Sequence, residues 1–152
     1  TDMDAICDMA RQNIEETRPE IGFDDAICRE TIRSYLATAH PTIFVAESKG
    51  EVVGMLVAGI YSYRASVGLF TSQEYDFADG FYTTQEVLFV RSVHRGSRAA
   101  VSLMKHFVAW SKMLGAKEIV GGNDNSFKSD RTAGFLGHFG FQVVGHSMRR
   151  SL

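Results

Sequence analysis

Cysteine is scarce in this sequence: Cys7 and Cys28 are the only two among 152 residues. Each falls inside a helix-like pattern with no second thiol at metal-ligand spacing. That excludes a disulfide framework and a cysteine zinc site, and predicts reduced, packed side chains in a cytoplasmic protein. No apolar run approaches the roughly 20 residues that cross a bilayer. The first residues carry Asp2, Asp4 and Asp8 rather than a basic segment ahead of an apolar one. The expectation is a soluble chain with no membrane partner. A net charge of -2 leaves too little basic excess for a nucleic-acid binder. The five histidines, His40, His94, His106, His138 and His146, show no paired ligand spacing, so no metal is expected. Repeats, linkers and low-complexity tracts are also missing, and residues 1–152 are expected to form a single domain.

One absence is local. From Val87 to Lys117 there is no Asp or Glu, while Arg91, Arg95, Arg98, Lys105, Lys112 and Lys117 give +6. An anionic ligand smaller than a nucleic acid is the natural guess for this surface.

What is present reads as α/β. Ile6, Met9, Ala10 and Ile14 have helical spacing over residues 3–17. Ile27, Ile32, Tyr35 and Leu36 repeat it over 24–39, after a capping Asp24 and before Pro41. "TIFVAE" (42–47) and "EVVGMLVAGIY" (51–61) predict an antiparallel hairpin with a glycine in its turn. "FYTTQEVLFV" (81–90) is a strand. Ala100, Leu103, Met104, Phe107, Val108 and Leu114 form the apolar stripe of a long helix capped by Gly115. A strand at 117–122, the loop "NDNSFKS", a short helix at 129–139 and a last strand from 141 complete the chain. The expected architecture is a mixed, mostly antiparallel sheet with helices on both faces.

"VRSVHRGSRAA" (90–100) delivers a strand directly into a helix start. About four backbone N–H groups lack intrahelical partners there, and the helix dipole adds positive charge. Gly96, Ser97, Ala99 and Ala100 let an anion approach the main chain, while Arg95 and Arg98 add full charges. An ordinary helix start with solvated arginines is the plain alternative. A small nucleotide-phosphate binder would account for this stretch alone.

The run Arg95-Gly96-Ser97-Arg98-Ala99-Ala100 resembles the coenzyme-binding motif of the GCN5-related N-acetyltransferases (GNAT), with Arg98 at a usual glycine position. The two opening helices, the hairpin, "LFV" before the loop and "GFLGHFGFQVVG" resemble that family's landmarks in order. The family's first strand has no counterpart before the opening helix. The resemblance implies acetyl-CoA as co-substrate. Its diphosphate would meet residues 95–100, and its pantetheine arm would pair with the backbone of Leu88, Phe89 and Val90 where the sheet splays. Ser129 to Leu136 would approach the coenzyme. It further implies acetyl transfer to a primary amine of a small molecule or peptide, by direct attack in a ternary complex. Cys7 and Cys28 are not placed as nucleophiles.

An amine with a pKa near ~10.4 must lose a proton first. Glu86 is the candidate base, expected to face the same side of its strand as Leu88 and Val90; His94 is a second choice. The tyrosine that often protonates the leaving thiolate in this family is replaced by Leu136, which leaves Tyr82, Ser129, His138 or water. That departure motivates an alternative: a degenerate acyl-CoA-binding or protein-interaction module without turnover. Residues 61–82 hold seven aromatics (Tyr61, Tyr63, Phe70, Tyr75, Phe77, Phe81, Tyr82), open to packing, to shaping an acceptor pocket or to a homodimer contact. Glu74, Asp76 and Asp79 are the carboxylates available there for a cationic acceptor.

Overall fold

A computed structural model describes residues 2–37, 40, 42–63, 80–122 and 128–152. Pro41, Phe70, Glu74, Tyr75, Asp76, Phe77 and Asp79 lie outside the described residues.

Helices α1 (Asp2–Thr17) and α2 (Asp25–Leu36) open the chain. Asp24 caps α2 as its side chain accepts from the Ile27 N–H at 3.0 Å, satisfying one of the orphan amides of the first turn. Strands β1 (Ile43–Ser48) and β2 (Glu51–Ser62) are joined by Lys49 and Gly50. Both have positive φ, 52° and 82°, the backbone of the tight hairpin turn whose twist matches that of the strands.

The sheet order is β1-β2-β3-β4, with β3 at Phe81–Val90 and β4 at Ile119–Val120. The first two pairings are antiparallel and β3–β4 is parallel. Between β3 and β4 lie a short 3-10 turn at Ser92–His94 and α3 (Ala99–Leu114), which ends on a left-handed Gly115. Helix α4 spans Ser129–Gly137.

Helices cover both faces, as the composition of β2 requires. Its residues Val53 to Gly59 are all buried, the pattern of a central strand covered twice. On one face Met55 and Phe89 pack with Ile6, Cys7 and Met9 of α1 and Ile32 of α2. On the other, Leu56 and Ala58 pack with Leu103, Met104 and Phe107 of α3 and Leu136 of α4. Thr83 and Ser111, both buried, pair their hydroxyls at 2.8 Å between β3 and α3, so neither is left unsatisfied. No helix among the described residues is long and apolar enough to cross a membrane.

Two expectations fail. Residues 141–152 form no strand; Val143 and Val144 are 73% and 98% exposed. An apolar run becomes a strand only where its backbone groups join a ladder, and no ladder pair among the described residues involves 141–152. The strand expected over 117–122 is confined to Ile119–Val120, and residues 38 and 39, the expected end of α2, lie outside the described residues.

Candidate active site

The strand β3 changes character part way along. Thr83 and Thr84 pair with Ile119 and Val120 of β4, and the Phe81 carbonyl accepts from the Lys117 N–H at 2.9 Å. Beyond Thr84 the two strands part. The Gly122 N–H donates instead to Oε1 of Gln85, at 3.2 Å. From Val87 to Val90, β3 keeps its pairing with β2 but has no strand on the other side among the described residues. A cleft of about 540 Å³ opens there. Its walls come from the end of α1 (Asn13 to Thr17), from Gln85 to Val90, from the loop before α3 and from α4.

The loop at the head of α3 forms one end of this cleft. Gly96 has φ 85°, a left-handed conformation that favours glycine. The Ser97 N–H donates to the His94 carbonyl and the Ala99 N–H to the Ser97 hydroxyl. The N–H groups of Gly96, Arg98 and Ala100 have no acceptor among the described residues. Three amides at a helix start, with the dipole behind them, can hold an anion.

Of the expected coenzyme contacts, Leu88, Phe89, Val90, Arg95, Gly96, Ser97 and Ala100 line the cleft; Arg98, Ala99 and Ser129 do not. Arg95 is not the free charge that the sequence suggests. Its guanidinium grips both carboxylate oxygens of Glu16 on α1, its Nε donates to the Val90 carbonyl at 3.1 Å, and it lies over the Phe89 ring. The Arg95 hydrogen bond holds the Glu16 carboxyl below its ordinary range. Arg98, exposed at the N-cap of α3, has no partner among the described residues. Lys128 and Arg131 add positive charge to the cleft wall; they follow the acid-free stretch, and no sequence spacing marked them.

Glu86 lines the cleft, on the face opposite to the one expected. Val57 faces Val87 and Ala58 faces Gln85, which leaves Glu86 as a bulge without a partner in β2. A bulge interrupts the two-residue alternation of a strand. Glu86 therefore turns toward α2, while Leu88 and Val90 pack toward α3. Its Oε2 accepts from the Tyr35 hydroxyl at 2.5 Å, and its Oε1 from Tyr61 at 2.6 Å and Thr84 at 3.3 Å. Accepting these bonds, with burial second, pushes the Tyr61 hydroxyl up to about 12 and shifts Tyr35 in the same direction. Both phenols stay protonated donors at neutral pH. Gly59 makes the room: a Cβ there would stand 2.5 Å from Oε1 of Glu86.

The substitutes for the missing tyrosine are placed less well. Leu136 lines the cleft at 4% exposure and offers no proton. Tyr82 stacks on Tyr61 and lies tilted against Tyr63, with ring centres 5.6 and 5.1 Å apart, and neither it nor His138 reaches the cleft; His94, Ser97 and Thr132 do. The thiol of Cys28 is pushed up to about 12, chiefly by burial, so it is a poor nucleophile, and neither cysteine lines this cleft.

Known structures share the fold. A transcriptional regulator from Bacillus halodurans C-125 superposes with a TM-score of 0.74 at 16% identity, over 99% of this chain and 93% of that one. The aminoglycoside N-acetyltransferase AAC(6')-Iy, bound to a CoA-linked bisubstrate analogue, gives 0.71 at 17% identity over 99% and 91%. The aminoglycoside 6'-N-acetyltransferase AAC(6')-IG from Acinetobacter haemolyticus gives 0.65 at 18% identity over 100% and 94%. No curated protein sequence matches. The family model described as the acetyltransferase (GNAT) family, however, matches residues 3–141: this chain is a member of the GNAT acetyltransferase family.

Proposed function

We propose that the protein is an N-acetyltransferase that moves acetyl from acetyl-CoA to the primary amine of a small molecule, by direct attack in a ternary complex. One observation carries the reading: the unpaired edge of β3 and the acceptor-free amides of Gly96 and Ala100 border one cleft. The residues fit the co-substrate, because a diphosphate needs donors at one end and a pantetheine arm needs a free strand edge along its length. Acetyl-CoA supplies an acyl group activated as a thioester. The aminoglycoside-modifying neighbours support a small-molecule amine as acceptor, and a cytoplasmic location accompanies that reading.

Within this reading the chain has three tasks. The head of α3 binds the anion. The open half of β3 orients the arm, with a backbone N–H available to polarise the acyl carbonyl. Glu86, at the far end of that open half, accepts the proton of the incoming ammonium, with Tyr35 and Tyr61 fixing its carboxylate. Release of thiol from acetyl-CoA with a panel of primary amines tests the proposal, and turnover is expected with at least one.

Leu136 favours a second reading, an acyl-CoA-binding module without turnover, since the usual proton donor to the thiolate is gone. Coenzyme binding without thiol release across the panel would select it.

A further inference from the structure

Gln85 stands where β3 and β4 part. The residue is 9% exposed, and the bond from the Gly122 N–H to its Oε1 follows directly on the last ladder pair, Thr84 with Val120. That bond also decides which way the carboxamide faces, because an N–H donor requires the oxygen opposite it. Nε2, with two N–H donors, has no acceptor among the described residues. Gln85 lines the cleft, and its Nε2 is the donor left over for a ligand there. A donor held rigid in a largely apolar stretch beside Leu88 and Leu136 gains most when a ligand brings an acceptor.

We propose that Gln85 is a specificity-determining residue that reads the acyl group. Its Oε1 ties off the end of the opened sheet, and its Nε2 donates to the acyl carbonyl oxygen of the co-substrate. The position follows from direction along the strand. The anion-binding amides lie beyond Val90, and Gln85 lies about 16 Å back along β3 at about 3.3 Å per residue. It therefore meets the end of the ligand remote from the diphosphate. This rests on the reading of the cleft as an acetyl-CoA site.

Affinities of CoA and acetyl-CoA, measured by calorimetry on the whole chain, test it, since CoA lacks the acyl carbonyl and serves as the internal control. Gln85→Glu keeps an oxygen facing Gly122 and removes the donor. It is expected to weaken acetyl-CoA binding about three- to tenfold relative to CoA. Gln85→Met removes both functions and is expected to weaken both ligands while widening the same ratio. A thermal melt of each variant confirms that it is folded, and either variant alone decides the matter. An acetyl-CoA to CoA affinity ratio unchanged from wild type in a folded variant overturns the role of Gln85 and leaves the coenzyme site standing. Failure of the wild-type protein to bind either ligand overturns both.

Discussion

At Thr83 and Thr84, β3 is paired with a strand on each side, whereas from Val87 to Val90 it is paired with β2 alone among the described residues. The first half rests on a buried hydroxyl pair and the α3 core; the second borders the cleft. Main-chain groups in the closed half satisfy one another and contribute stability. In the open half, the edge opposite β2 is left for a ligand to pair with. One strand thus anchors the sheet at one end and has an unpaired edge at the other, and the change occurs at Gln85 and the Glu86 bulge.

Substitutions on either side of that junction should have opposite signatures. The largest effect is expected from Glu86→Gln in the open half: a fall in kcat of about 10²–10⁴-fold, with unfolding midpoint and coenzyme affinity close to wild type. An unchanged kcat in amine-dependent thiol release would remove Glu86 from the base role. In the closed half, Thr83→Val leaves the buried Ser111 hydroxyl without its partner. It should cost about 1–3 kcal/mol in urea unfolding while leaving the dissociation constant for CoA unaltered. A binding defect there would show that the two halves are not separable.

Smaller changes are expected around Arg95. Because it is already held by Glu16, Arg95→Ala is expected to weaken CoA binding only about two- to fivefold. Partial recovery should follow when Glu16→Gln is added, since the bare carboxylate no longer faces an anion. A full loss of binding would mean that Arg95 leaves Glu16 to grip the ligand.

The smallest effect concerns acid. The hydrogen bond from Arg91 is the main cause that lowers Asp8, and that from Arg95 lowers Glu16. A carboxyl whose folded pKa is depressed adds stability above its unfolded value, and this is lost as pH falls through the folded one. The unfolding midpoint should therefore decline on acidification below the ordinary carboxyl values of 3.8 and 4.5. Asp8→Asn should flatten that decline; an identical acid slope in variant and wild type would show that the Asp8–Arg91 pair contributes nothing.

Local rules made much of this fold readable. Asp24 caps a helix, Lys49 and Gly50 turn a hairpin, and Gly115 stops α3, each by an interaction within a few residues. The loop from Arg95 to Ala100 was equally legible, because a helix start has acceptor-free amides wherever it occurs. The contacts that qualify the site were not. Tyr35 meets Glu86 across 51 residues, Arg95 meets Glu16 across 79, and Arg91 meets Asp8 across 83. No periodicity encodes such pairs. The face of Glu86 was misread for a related reason: alternation assumes unbroken register, and "TQEV" carries no glycine to announce a bulge. The end of the chain forms no strand despite its apolar residues, because composition does not specify whether a sheet edge will pair with it.

The sequence alone determined most of the elements, the two covered faces of the sheet and the acid-free helix start, because propensity, capping and charge act over short spans. Tertiary structure alone decided which way Glu86 points, what Arg95 holds and where β3 parts from β4, because each depends on the register of strands and on partners brought together only when the chain packs.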